Sequence, residues 1–207
     1  MLEVKTVDEV FKIISEQFSG YPLDTEVISI LDAQGRTLAV DIISPENIPP
    51  FNRSSVDGYA VFASDTFGAS ETVNAQLLKA EPVQMGITPE IPLKKGTASY
   101  IPTGGELPQN ADAVVMVEYT EENNDEYIYI TRPVAPGNNV VLIGDDVKIN
   151  SVIFRSGKRL KAADIGVLAS IGIHEITVRR KLKVGIIATG DEIIPVENKP
   201  RGSQVRD

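Results

Sequence analysis

Four short turns concentrate polar groups able to do chemistry: NRSSVDG at 52–58, PTGGE at 102–106, GDD at 144–146 and ATGDE at 188–192. Each sets a carboxylate or hydroxyl beside glycine, where backbone N–H groups can come close to a ligand. Such groups suit oxygen-rich ligands. Asp57, Asp146 and Glu192 are candidates to hold a hard cation such as Mg²⁺, which takes one or two carboxylates plus substrate phosphate oxygens. Glycine turns and a helix N-terminus suit the phosphates themselves. Each turn alone also has a purely structural reading. Asp57-Gly58 suits a hairpin, Thr103-Gly104-Gly105 a turn needing positive φ, and Gly144-Asp145-Asp146 an exposed Asx-type turn; Thr189 and Glu192 have capping-box spacing.

The composition narrows what those turns serve. The chain has 207 residues, with 20 Lys and Arg against 29 Asp and Glu for a net charge of -9. That balance repels a phosphate backbone and an anionic leaflet, so neither nucleic acid nor a membrane is the expected partner. There is no cysteine, which removes disulfides, zinc–thiolate sites, iron–sulfur clusters and thiol nucleophiles. The single histidine, His174, follows Gly172 and opens a strand pattern, a structural position, while Ser54 and Ser55 lack a nucleophile-elbow context. A covalent mechanism therefore has little support in the sequence. The opening MLEVKTVDEV carries charges where a signal peptide needs its apolar core, and no uncharged apolar stretch approaches the ~20 residues that span a bilayer. The chain reads as cytoplasmic.

Elements must hold these turns in place. Thr6 and Glu9 have capping-box spacing, and Val10, Phe11, Ile14 and Phe18 then share one helical stripe until Gly20 and Pro22 stop it. EVISI (26–30) and AVDIIS (39–44) read as strands around DAQGRTLA, with Leu38 and Ala39 on a brief helix. From 46 to 144 prolines and glycines multiply between the β-branched or aromatic runs YAVFA, TASYI, AVVMVEYT and EYIYITR; EENNDE (121–126) reads as a solvated hairpin tip. After 150, SVIFRSGKRL reads as strand and turn, ADIGVLASIG as a helix ended by Gly172, and HEITVRRK as a strand. Similar mixed segments on either side of a β-rich block point to a discontinuous domain with an insertion. Residues 184–188, apolar without alternation, read as a parallel strand buried on both faces, with twelve residues after Pro195, too few for a crossover helix.

In order and in register, PPFNRSSVDGYAV, IPTGGELPQNADAVVMVE, GNNVVLIGDDV and VGIIATGDE, spread over residues 47–192, resemble the signature blocks of the MoeA family, the molybdopterin molybdenumtransferases. The resemblance implies a mixed α+β fold. It comprises a discontinuous α/β domain over 1–44 and 145–178, an inserted β-rich domain over 45–144, and in 179–207 the first strand of a MogA-like, doubly wound pterin-binding domain. It further implies insertion of molybdate into adenylylated molybdopterin with release of AMP, Mg²⁺ as cofactor, a homodimer whose cleft is shared between subunits, and a MogA-like adenylyltransferase acting upstream. By motif position, Asp57, Thr103, Asp146 and Glu192 are the implied catalytic residues. Ser54, Gly104 and Asp191 are implied substrate contacts, and Asp57, Asp146 and Glu192 implied metal ligands. Two places depart from the pattern. Val141 stands where the family usually has arginine, and RGSQVRD stands where the family continues into Ser-Asn and its pterin-binding helix. The chain thus reads as an N-terminal fragment, with a non-catalytic scaffold and a small-anion-binding module as the other classes open to this fold.

Overall fold

The computed structural model describes residues 4–20, 23–122 and 126–207. Helix α1 (Val7–Phe18) begins as its spacing predicts: the Thr6 hydroxyl accepts from the Glu9 N–H at 3.3 Å, and the Glu9 carboxylate takes the Thr6 N–H at 2.7 Å. Pro22, expected to stop it, lies outside the described residues. The apolar stripe is uncovered among the described residues, with Phe11 and Phe18 each 64% exposed.

Next come β1 (Thr25–Ser29), a 3₁₀ turn at Ile30–Asp32 and β2 (Ile42–Ile43). Eight short strands follow: β3 (Arg53–Ser54), β4 (Gly58–Val61), β5 (Ala75–Ala80), β6 (Thr97–Ile101), β7 (Ala113–Met116), β8 (Thr120–Glu121), β9 (Tyr127–Ile130) and β10 (Val140–Val141). Mixed structure then returns as β11 (Val152–Phe154), α2 (Ala162–Ser170) and β12 (Glu175–Arg179), with β13 (Ile193–Ile194) and β14 (Val205–Arg206) beyond.

Apolar residues bury themselves in three separate clusters, one where the two ends of the chain meet and two on the strands between. In the first, β1 pairs antiparallel with β12 from Thr25↔Arg179 to Ser29↔Glu175, and β2 pairs with β11. Ile30, Leu38 and Ile42 from one end of the chain pack with Leu160, Leu168, Ile171, Ile176 and Val178 from the other. The brief helix expected at Leu38 and Ala39 does not form. Leu38 is wholly buried and bridges Val178 as extended backbone; its N–H donates to Lys158 C=O, and its C=O accepts from Gly157 N–H, both at 2.9 Å. Core contact thus overrides local propensity. Helix α2 ends at Gly172 (φ 73°) as expected, and its Asp164 takes the Lys161 N–H at 2.8 Å, a bond that holds the carboxyl below its usual range.

The other two are built on a six-stranded sheet of order β7-β4-β6-β5-β9-β8, antiparallel except for β5 against β6. β7 and β8 follow each other across one 3₁₀ turn, Val117–Tyr119, yet stand at opposite ends of this order. The sheet must therefore roll until its two edges meet at that turn. Tyr59 on β4 shows the closure, donating its hydroxyl to Glu122 just past β8. Strand β5, AQLLKA, is not legible from residue type, since it holds no β-branched or aromatic residue; pairing on both of its edges supplies what propensity does not. β8 and β9 form the hairpin expected around EENNDE, whose residues 123–125 lie outside the described residues.

Residues 184–188 correct the sequence reading. They form neither a strand nor a buried segment, and Ile186 and Ile187 are 91% and 86% exposed. An apolar run without alternation needs cover on both faces, and no described strand flanks it. No helix follows Thr189 and Glu192 either; a turn leads into β13, which pairs in parallel with β14.

Burial first, then the hydrogen bond to Glu122, pushes the Tyr59 phenol well above its ordinary value. Lys79 donating to Glu122 at 2.8 Å, followed by the Tyr59 bond, holds the Glu122 carboxyl below its ordinary value. Because that carboxyl is depressed on folding, its contribution is present above the unfolded value near 4.5 and is lost as pH falls through the folded one. Glu122→Gln keeps an acceptor for Tyr59 but loses the charge. Its urea midpoint is expected to lie below wild type at pH 7, by about 1 kcal/mol or less for so exposed a pair. The gap should begin to narrow as pH falls below about 4.5 and go on narrowing as pH falls through the folded value; a constant gap across pH 3–7 would assign the effect to packing.

Candidate functional site

Residues 47–58 bring together three of the four polar turns. On one side, Ile48 C=O accepts from Asp146 N–H at 2.9 Å, Pro49 C=O from Gly144 N–H at 3.0 Å, and Asn52 Oδ1 from Ile143 N–H at 2.8 Å. β3 runs antiparallel to β10, with Ser54 opposite Val140 and Arg53 opposite Val141. On the other side, Gly104 N–H donates to Ser54 C=O at 2.8 Å, Ser54 N–H to Gly105 C=O at 3.0 Å, and Leu107 N–H to Asn52 C=O at 2.8 Å. The backbone of this loop, with the Asn52 side chain, is therefore what joins the other two turns to it.

The glycines fit for different reasons. Gly104 (φ 84°) occupies the left-handed region that its turn requires. Gly58 does not form the hairpin that Asp-Gly suggests; it opens β4, and a Cβ there would stand 2.0 Å from Val115 C=O. Close approach of β7 is what excludes a side chain.

Asp57 is exposed, and its Oδ1 accepts the Thr103 N–H at 2.8 Å, so one carboxylate oxygen is fixed to the neighbouring turn. Ser54 is buried, its hydroxyl donating to Val56 C=O at 2.6 Å, and so it shapes the loop from within. Asp145 closes its own turn by accepting the Leu142 N–H at 2.8 Å, leaving Asp146 exposed, 3.9 Å from the Arg53 guanidinium. Asp57, Ser54, Thr103, Gly104 and Asp146 are thus brought together. Asp191 and Glu192 are not: both are exposed, and the hydrogen bond Glu192 makes among the described residues is through its C=O, to Val205 N–H at 2.8 Å. Among the described residues no three His, Cys, Asp or Glu side chains cluster to hold a metal ion. Sequence reasoning missed Asn52 and Arg53, although Arg53 is the only basic residue in segments 47–58, 102–106 and 140–147. No helix among the described residues is long and apolar enough to cross a membrane.

The chain is similar to known proteins over most of its length. Residues 5–172 match the family model of the MoeA N-terminal region, domains I and II. Molybdopterin molybdenumtransferase of Haemophilus influenzae is 36% identical over 203 residues, 98% of this chain and 48% of its own length. Its Bacillus subtilis counterpart is 35% identical over 214 residues, covering 100% of this chain and 49% of its own. A crystal structure of molybdopterin biosynthesis MoeA protein from Pyrococcus horikoshii superposes with a TM-score of 0.79 at 42% identity, over 83% of this chain and 45% of that one. The chain spans about half the length of the relatives it matches.

Three substitutions separate the roles of the Asp57-Gly58 pair. Gly58→Ala is expected to cost about 3 kcal/mol, since backbone and not a movable side chain meets the new methyl. Asp57→Asn keeps an acceptor for Thr103 and should stay within about 0.5 kcal/mol of wild type, whereas Asp57→Ala should lose about 1 kcal/mol. Urea unfolding of the four proteins decides it; equal losses for the Asn and Ala variants would show that the charge itself matters to stability.

Proposed function

From the premise that this chain belongs to the MoeA family, we propose that it works in molybdenum cofactor biosynthesis, as the amino-terminal part of a longer molybdopterin molybdenumtransferase. The observation that carries the reading is the joining of three motif turns, far apart in sequence, around the loop that presents Asp57. The reaction proposed is insertion of molybdate into adenylylated molybdopterin, with water cleaving the phosphoanhydride and AMP leaving. Residues 1–44 with 145–178 would form one domain, 45–144 its insertion, and 179–207 the start of a pterin-binding domain. The functional unit would be a homodimer, supplied with substrate by a MogA-like adenylyltransferase.

The chain's residues act by placement. Asp57, anchored through one oxygen to Thr103 N–H, keeps its other oxygen for water or a cation. Thr103 is exposed, and its hydroxyl is assigned a hydrogen bond to substrate oxygen; Gly104 lets backbone approach that oxygen closely. An all-oxygen donor set of one or two free carboxylates fits Mg²⁺, which Asp57 and Asp146 would hold; when bound it would offset the charge of the phosphate oxygens. Asp191 and Glu192 would join from the pterin-binding side.

The test is Asp57→Asn in the full-length protein, a substitution that spares the Thr103 bond. Molybdate-dependent AMP release should fall at least tenfold, or ~1.4 kcal/mol of barrier, with the urea midpoint unchanged. Undiminished turnover would remove Asp57 from the chemistry.

A further inference from the structure

We propose that Arg53 is the oxyanion-binding residue of this site, its guanidinium holding two oxygens of a tetrahedral oxyanion. The inference rests on the reaction proposed above, in which both substrates are anions. Segments 47–58, 102–106 and 140–147 carry Asp57, Glu106, Asp145 and Asp146 against the single base Arg53. Lys148 follows the last of these segments, its Cγ 3.5 Å from where a Gly144 Cβ would stand, so Arg53 is the cation carried within the turns themselves, where the acids otherwise repel an anion.

The placement of Arg53 fits the role. Its backbone is fixed from both sides, opposite Val141 in β10 and bridged to Glu106 on the other edge. Among the described residues its head group has one loose ion pair and no hydrogen bond. The carboxylate oxygen it approaches, on Asp146, is 3.9 Å away, beyond hydrogen-bond length, and the two side chains are 40% and 60% exposed. Arg36 shows the contrast of a structural arginine, 10% exposed, donating to Glu26 and, at 2.9 Å, to Arg179 C=O. Glu106, the other acid beside Arg53 in the ladder, takes its hydrogen bond from the Thr88 hydroxyl at 2.8 Å. A guanidinium presents parallel N–H donors in a planar fork that matches two oxygens of molybdate or phosphate, so a rigidly based arginine with a loosely paired head is suited to capture either. Asp146 then serves as the resting counter-charge that the oxyanion displaces.

The experiment uses full-length wild type, Arg53→Gln and Arg53→Lys. Each is titrated calorimetrically with molybdate and with AMP, and assayed for KM and kcat. Arg53→Gln is expected to weaken binding of at least one anion about tenfold or more, with a matching rise in KM and a much smaller change in kcat. Arg53→Lys, which keeps the charge but not the fork, should lose at least about threefold. Loss confined to molybdate identifies the metal oxyanion as the ligand, and loss confined to AMP identifies the phosphate; either supports the assignment. Unchanged binding of both anions by Arg53→Gln overturns it, as does a lowered urea midpoint with intact binding, which would make Arg53 a structural ion-pair partner. A wild-type protein that binds both anions yet releases no AMP would refute the reaction, while the same titrations still decide the role of Arg53.

Discussion

Strand β3 is two residues long, and both of its edges are occupied. β10 takes one and the Gly104–Gly105 backbone the other. A segment so held cannot slide, and the register has chemical consequences, because neighbouring residues in a strand face opposite ways. As built, Ser54 is buried and Arg53 reaches toward Asp146 in solvent. A slip of one residue would bury a guanidinium and expose a hydroxyl. The Asp57 carboxylate, three residues on, is then tied to the Thr103 turn by a bond that exists only in this register.

The parts of the fold legible in the sequence are those whose local pattern and tertiary role agree. The Thr6–Glu9 capping box, the Gly172 stop of α2 and the runs in β4, β6, β7 and β9 all declare themselves through spacing or residue type. Where pattern and role part, the sequence misleads. AQLLKA becomes a strand because neighbours occupy both its edges, and Leu38 becomes extended because Val178 needs a partner. Residues 184–188 err in the other direction: they have the composition of a buried strand and none of the surroundings.

The site was legible as a list and not as an assembly. Residue type alone marked the four turns, but nothing in the local sequence says that the turns at 52–58, 102–106 and 144–146 meet while the one at 188–192 stands apart. That information lies in long-range backbone bonds such as Gly104 to Ser54 and Gly144 to Pro49. Ser54 illustrates the limit, since a hydroxyl in a polar loop reads as a ligand contact until its burial against Val56 is seen. Asn52 and Arg53 were passed over because they lack glycine neighbours, although the first clamps β10's following turn and the second carries the local positive charge.

The Ile48–Val147 bridge, with N–H to C=O bonds of 2.7 and 3.0 Å in both directions, bears on the order of folding. It makes residues 49–146 start and finish at one point. Before they fold, joining β2 to β11 means closing a loop of about 110 residues; afterwards the effective loop is about ten, which lowers the closure cost by roughly 2 kcal/mol. Residues 49–146 are thus a splint for the pairing of β2 with β11. A nascent chain that folds these residues first has the two distant strands already aligned, so damage among residues 49–146 slows a pairing that lies outside them.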